Sequence, residues 1–420
     1  MKRTLIALTA LALLVWGATR FFKAERLREQ VKSSLEASLH RRVEINGPLD
    51  YKWLTGPGFE VNDVVIHDDP RLGLEPLAYV NSVEATPRWF ALLTGKVAFS
   101  TIRLVEPSVN LLRAPSGELN IQPFLAELFG ARETGNNLPE IKVRGGRINF
   151  KQGHRKHVLY FTNTDLELWP TETSGFNIRI LTDAARTDRQ PLGYGSFSAH
   201  GRLRFLPQSE PELDMTLDLD RNSLADVLVL FEGRRPDISG RISARTKLVG
   251  PLSKLRLDGR LDLEGFQRWN IPGLKPGAMT LYYTGEADLP RQTIRLGSVV
   301  SDKAGLPMRL HFRATQAFSN PRWALVVTAQ ELPAAVFTDV SKVTGFALPE
   351  GFPAAGSAAG GLGISSSVPH LRGGFLLTGP DQKDYRLEMD SPPAERLGPA
   401  EPRPSSGVKN GPSGSWPAPR

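Results

Sequence analysis

The stretch ELDMTLDLD, from Glu212 to Asp220, alternates strictly: Leu213, Met215, Leu217 and Leu219 are apolar, and the residues between them are acidic or Thr216. A period of two sends successive side chains to opposite faces of a strand, so the segment has one apolar face and one acidic face. A helix does not carry this pattern, because its apolar stripe recurs at three and four residues. The alternation returns in KLRLDGRLDLEG (Leu255, Leu257, Leu261, Leu263), in PMRLHFRA (Met308, Leu310, Phe312) and in RWALVVTA (Trp323, Leu325, Val327). These read as half-buried antiparallel strands. Turn signals at Pro115-Ser116-Gly117, Gly145-Gly146, Thr284-Gly285 and Ser319-Asn320-Pro321 space them as a β-meander would.

Helical periodicity is rare. AERLREQVKSSLEASLHRRV places Leu27, Val31, Leu35 and Leu39 at four-residue steps, which predicts an amphipathic helix over 24–42 that covers one end of the following domain. Further helices are expected at Pro87 to Gly95, Gln122 to Gly130, Asn222 to Gly233 and Leu332 to Gly345, each stopping at a glycine. The last two open a loose repeat, Ser223 to Gly259 and Leu332 to Gly374, in which a helix, a Pro-containing link and glycine-bearing strands follow in the same order. Repeated units of this kind bury one another's apolar faces and build an extended stack.

The chain opens Met1-Lys2-Arg3 and then runs uncharged from Thr4 to Thr19. That run is short against the roughly 20 residues of a span, but Phe21 and Phe22 lengthen it while Arg20 and Lys23 snorkel. It ends in Trp16-Gly17-Ala18-Thr19-Arg20, a poor match to a signal-peptidase site, so it reads as an uncleaved anchor in preference to the alternative, a cleaved signal peptide. The expected divisions are an anchor at 1–23, the amphipathic helix at 24–42, a first β region at 43–135, a repeated β region at 136–378 and a Pro/Gly/Ser-rich tail at 379–420 whose composition predicts disorder.

Composition closes off several classes of chemistry. There is no cysteine, which excludes disulfides, thiolate metal sites and thiol nucleophiles. The net charge of +8 comes from 52 basic and 44 acidic residues that are interleaved, which describes a mixed, solvated surface rather than a nucleic-acid interface. His67-Asp68-Asp69, inside GFEVNDVVIHDDPRLG, is the best local candidate for a metal or an acid/base pair; followed by Pro70 and Gly73 it reads as the turn that ends a strand. In that strand Phe59, Val61 and Val65 with Val64 and Ile66 read as apolar on both faces. His154 and His157 do not converge on a strand, and the two cations between them repel a metal. RINFKQGHRKHVLYF interleaves cations with aromatics but reads as an exposed hairpin. No glycine-rich stretch has the setting of a phosphate cradle, and no serine sits in a nucleophile elbow. A carbohydrate hydrolase would need a carboxylate pair that the alternating acidic residues do not single out. The expectation is therefore a protein with no catalytic residues, metal or cofactor.

The apolar faces themselves remain. A long sheet with few covering helices hides such a face by closing, by pairing with a second sheet, or by curling into a trough, and a trough can hold acyl chains with no catalytic group. Periodicity leaves a filled sandwich and an open groove both standing.

The order of basic N-terminus, apolar run and amphipathic helix, then GFEVNDVVIHDDP, LLTGKV, IRLVEPSVNLLR and SGELNI, resembles the N-terminal region of AsmA family proteins. GRISARTKLVGPLSKLRLDGRL is similar to the family's repeating strands. The likeness is specific over residues 1–130 and looser to 375. It implies a mainly β protein in which an N-terminal transmembrane helix precedes an elongated, repeated antiparallel sheet curled into a groove, with a few short helices. It implies an inner-membrane protein of a Gram-negative bacterium, single-pass, with its N-terminus in the cytoplasm and its bulk in the periplasm. Kinship with TamB-like and chorein-type bridge proteins implies phospholipid binding on the groove floor, lipid transfer and a role in outer-membrane biogenesis. The chain is short for a bridge across the whole periplasm. The floor candidates are Leu213, Met215, Leu217, Leu219, Leu255, Leu257, Leu261, Leu263, Met308, Leu310, Phe312, Leu325 and Val327. The expected partners are phospholipid and the inner membrane. The alternative is a scaffold that assists outer-membrane or envelope assembly proteins by pairing with a client strand.

Overall fold

The computed structural model describes residues 41–52, 58–71, 75–88, 99–114, 118–123, 139–152, 155–171, 174–188, 194–206, 208–232, 238–268, 277–299, 308–344, 355–367, 372–378 and 384–390, with isolated positions at 28–29, 32–33, 36, 348 and 352. The expected anchor at 1–23 lies outside them, as do most of the helices expected at 87–95 and 122–130. Among the described residues no helix is long and apolar enough to cross a membrane.

Among the described residues nineteen strands form one sheet. In chain order they are β1 (Val43–Ile45), β2 (Leu49–Lys52), β3 (Gly58–Ile66), β4 (Ala78–Pro87), β5 (Phe99–Arg113), β6 (Glu140–Gln152), β7 (Arg155–Pro170), β8 (Gly175–Arg186), β9 (Ser196–Arg204) and β10 (Glu212–Ser223). They continue as β11 (Ile238–Pro251), β12 (Leu255–Arg268), β13 (Gly277–Asp288), β14 (Thr293–Val299), β15 (Met308–Thr315), β16 (Arg322–Pro333), β17 (Ser357–Ser365), β18 (Arg372–Thr378) and β19 (Asp384–Asp390). β1 and β2 share one edge of β3, and from β3 to β19 each strand pairs with the next.

One pairing departs from the antiparallel order expected throughout. β5 and β6 are parallel, from Thr101 opposite Glu140 to Arg113 opposite Gln152. Parallel neighbours need a connection that returns the chain across the sheet, and 26 residues lie between β5 and β6 to supply it. The start of that return is tied to β5: Ala114 N–H donates to Glu118 O at 2.8 Å and Asn120 N–H to Leu112 O at 3.0 Å.

The register sorts the side chains into an apolar and a polar face. Partners directly opposite share a face, so the apolar set carries across from Leu213 to Leu203, from Met215 to Leu248, and from Leu248 to Leu257. The strands keep this assignment despite irregular spacing, because bulges absorb single residues. Asp63, Glu106, Asn163 and Arg221 hold φ values of 56°, 47°, 50° and 47°, in the left-handed region where a bulge takes up one extra residue. The bulge at Asp63 corrects the two-faced reading of β3: Val61 and Val64, three apart, face the same side opposite Val83 and Val80, and Val65 alone turns outward.

The sheet is open and curled. The large hydrophobic side chains that are exposed among the described residues are Tyr79, Val158, Trp169, Leu181, Val249, Val299, Val326 and Leu376, and all lie on the polar face. Those on the apolar face are buried or half-buried, yet among the described residues the elements in contact are neighbouring strands and two helices, with no second sheet. A single layer shields one face from water in this way only by curving around it. Phe161 on β7 and Phe197 on β9 show the curvature directly, stacking at 6.5 Å between centroids across the intervening β8. In a flat sheet strands two apart are separated by roughly 10 Å.

Two helices sit at one rim. α1 (Leu224–Glu232) follows β10 and packs on β10 and β11; α2 (Ala334–Thr344) follows β16, packs on it and reaches back to β12. Both begin at the residue after a bulged strand end and lead into a strand of the sheet, so the order strand, helix, strand occurs twice. Ser223 Oγ caps α1 by accepting the Asp226 N–H at 3.3 Å. The Asp226 carboxylate in turn accepts from Arg186 of β8 in a buried ion pair. α2 is held by Phe337, edge-on to Phe375 at 4.9 Å, in a cluster with Leu332, Ala358 and Leu377. At the opposite rim the turn residues Phe205, Leu252 and Leu289 fold onto Phe176, Ile178 and Leu213. Their backbones link turn to turn: Leu252 N–H donates to Pro211 O at 3.1 Å and Leu289 N–H to Leu252 O at 2.9 Å.

Candidate apolar trough

The register places every sequence-predicted floor residue on the apolar face. Leu213, Met215, Leu217 and Leu219 stand opposite Leu203, Gly201, Ala199 and Phe197 of β9. Leu255, Leu257, Leu261 and Leu263 stand opposite Ala287, Gly285, Leu281 and Met279 of β13. Leu310 and Phe312 face Val327 and Leu325, and Met308 is in register with Ala329. Met215, Leu255 and Leu257 are buried among their neighbours, while Leu217, Leu219, Leu261, Leu263, Leu310, Phe312, Leu325 and Val327 stay half-buried, with part of each surface open to the concave side.

The same face carries residues that alternation alone did not single out, including Phe150, Phe161, Phe197, Leu281, Leu296 and Leu362. Phe150 and Phe161 meet edge-on at 5.5 Å. Their strands carry the register shifts at Gly146 and Asn163, which put the period out of phase in the sequence. Measured across the strands, from β3 to β19, the face runs for roughly 80 Å, taking about 4.8 Å per strand.

Two pairs of hydroxyl groups on this face satisfy one another. Thr164 and Thr182 share a hydroxyl hydrogen bond of 2.7 Å. Tyr283 lies over Gly259, where a Cβ would come within 2.5 Å of its ring, and its hydroxyl meets Thr246 Oγ1 at 2.5 Å. Burial pushes the Tyr283 phenol up, partly opposed by that hydrogen bond.

The polar face is laced with cross-strand ion pairs. Arg144 bridges Asp165 at 3.1 Å and Glu167 at 2.5 Å, Arg103 meets Glu84 at 2.9 Å, and Arg204 meets Glu212 at 2.7 Å. Being exposed, each contributes little to stability. A cavity of about 1170 Å³ over β10–β14 belongs to this face, lined by Asp218, Arg245, Lys247, Arg260, Asp262 and Tyr282 among others. Its lining also includes Leu219, Ala244, Gly259 and Tyr283 of the apolar face.

His67, Asp68 and Asp69 do not form a site. Asp68 accepts from Asn120 Nδ2 at 2.6 Å and lies 3.7 Å from Arg41; Asp69 closes the turn by accepting from Arg71 N at 3.0 Å; His67 Nε2 lies 3.3 Å from Glu44. The Arg71 guanidinium and backbone N–H hold the Asp69 carboxyl at about 2. Three neighbouring side chains that each turn to different partners are what a strand-ending turn requires. Among the described residues no group of His, Asp and Glu is placed to hold a metal ion. His154 lies outside the described residues.

A family model for the AsmA family matches residues 1–264. A search of curated proteins returns no match. With the matched region running from the N-terminus through the strands of the trough as far as Glu264 in β12, the chain belongs to the AsmA family.

Proposed function

We propose that this protein binds phospholipid acyl chains along the apolar face and supports lipid transfer and outer-membrane biogenesis, without catalysing a reaction. The observation that carries the reading is the combination of one unbroken apolar face from β1 to β19 with the absence of any second layer over it among the described residues. A concave apolar surface of that length, open along one side, matches a row of extended hydrocarbon chains; its loss of contact with water on loading is the driving force. Family membership supports the same reading. In this proposal the apolar run of Thr4 to Thr19 anchors the chain in the inner membrane and the sheet stands in the periplasm.

The test is native mass spectrometry of the full-length protein released from membranes, with lipids identified after extraction. Co-purifying phospholipid is expected, and Leu217→Glu should lower the load while leaving the sheet folded, because Leu217 is only half-buried and its charge would project into open space. A protein that carries no phospholipid, or crosslinks to outer-membrane proteins with no lipid bound, would count against the proposal and favour the scaffold alternative.

A further inference from the structure

The polar face changes character along the sheet. From β4 to β12 arginines and carboxylates are matched across or along the strands: Arg103 with Glu84, Arg144 with Asp165 and Glu167, Arg204 with Glu212, Arg245 with Asp218 and Arg260 with Asp262. Arginines there without a close ion pair still face a carboxylate in register, as Arg202 faces Asp214 and Arg241 faces Glu264. From β14 to β16 the matching stops. Register and alternation place Arg295 of β14, Arg309 and Arg313 of β15 and Arg322 of β16 on this face, and all four are exposed. These three strands contain a single acidic residue, Glu331, at the bulged end of β16.

The arginines also crowd one another. Arg295 and Arg313 stand directly opposite across the ladder, and Arg322, opposite Thr315, is diagonal to Arg313. Like charges directly opposite are destabilising. On the β13 side Glu286 faces Arg295, while Asp288 is held by Arg291. His311, in register with Gly297 and Val326, lies within the same patch. Aliphatic side chains are set among the cations: Val299 and Val326 are exposed, and Ala324 lies opposite Arg313. Beyond β16 the face flattens at Gly361 and Gly363 of β17. Acidic residues return on β19, where Asp390 is in register with Arg372.

We propose that the outer patch of β14–β16 docks on the surface of an anionic phospholipid bilayer, with Arg295, Arg309, Arg313 and Arg322 on headgroup phosphates and Val299 and Val326 against the hydrocarbon boundary. A guanidinium is weakly hydrated and takes phosphate oxygens two at a time. Cations that repel one another in the free protein are relieved by a surface of negative charge. Aliphatic side chains among them match a surface that is anionic outside and hydrocarbon beneath, whereas an acidic protein offers the charge alone. The patch lies on the opposite face of the sheet from the trough, so this docking does not depend on lipid held there.

The experiment holds full-length protein in phosphatidylcholine nanodiscs, so that the proposed anchor is already occupied, and mixes it with vesicles of phosphatidylcholine alone or of equal phosphatidylcholine and phosphatidylglycerol. Co-flotation with the phosphatidylglycerol vesicles is expected, and none with phosphatidylcholine alone. Arg295→Gln and Arg313→Gln should each weaken the binding roughly fivefold, about 1 kcal/mol per cation at an anionic surface. Neither should lower the melting temperature, since each removes a like-charge contact, which separates lost docking from lost fold. Arg204→Gln takes the same charge from the matched part of the face and should bind as wild type does. Equal binding to both vesicle types, wild-type binding by the Arg295→Gln/Arg313→Gln double variant, or an equal loss in Arg204→Gln would overturn the proposal. So would wild-type protein that ignores the vesicles but binds polyglutamate through the same arginines, which would assign the patch to an acidic protein instead.

Discussion

The latch between α1 and the sheet offers an asymmetric test of burial. The side chain of Arg186 is 3% exposed and that of Asp226 is 6% exposed, while Asp188, the second partner of Arg186, is 42% exposed. Asp226→Leu removes one partner but leaves the guanidinium paired with Asp188, whose hydrogen bond is the largest of the contacts that hold Arg186 above its ordinary pKa. The loss is then one charged hydrogen bond, about 2 kcal/mol. Arg186→Met leaves the buried Asp226 carboxylate with only its place in the first turn of α1 as compensation, and stripping a buried charge of its partner costs about 3–5 kcal/mol. The double substitution Arg186→Met/Asp226→Leu removes both charges and should recover much of the larger loss. Because a stack of strands does not unfold in one step, the readout is hydrogen exchange at the amides of α1 and of β8, which gives local opening free energies. Equal effects of the two single substitutions that add in the double would show that the pair is solvated, and the reasoning from burial would be wrong.

Three further outcomes follow from the geometry. Gly285→Ala should disrupt β13–β14, since a Cβ there falls 2.0 Å from Arg295 O, whereas Gly297→Ala should be tolerated because its nearest neighbour is His311 Nδ1 at 3.8 Å; circular dichroism and thermal melting separate them. Phe337→Ala should release α2 at a cost of about 3–5 kcal/mol, the range for emptying a buried aromatic site, seen as faster exchange over Ala334–Thr344 with the distant β3–β5 region unchanged. The Asp69 carboxyl should titrate near 2 by NMR and move back toward 3.8 in Arg71→Ala. Its folded pKa is the lower one, so the turn's contribution to stability is present above pH 3.8 and fades as pH falls through about 2.

The strands that alternate without interruption were legible from sequence because period two has a single structural meaning: ELDMTLDLD and KLRLDGRLDLEG each project one apolar set to one face. The two helices were legible from a run of apolar residues that ends in glycine, and Ser223 with Asp226 marks the start of α1. What alternation hid lies where the chain spends a residue in a left-handed bulge. Asp63 and Asn163 shift the phase within β3 and β7, so Val64 and Phe161 appeared out of pattern although they share the common face. The parallel β5–β6 pair was not legible, because strand direction depends on where residues 114–139 lead and not on the residues in the ladder. Nor was the buried Arg186–Asp226 pair, which joins β8 to α1; in the sequence the two residues stand 40 apart.

The most direct test of the central claim compares adjacent residues that face opposite ways. With a photocrosslinker placed in turn at Leu217, Asp218, Leu261 and Asp262 in the full-length protein in cells, lipid should be captured at Leu217 and Leu261 and not at Asp218 or Asp262, which lie on the polar face. Equal capture at all four, or capture confined to Asp218 and Asp262, would contradict an apolar trough as the lipid-binding surface.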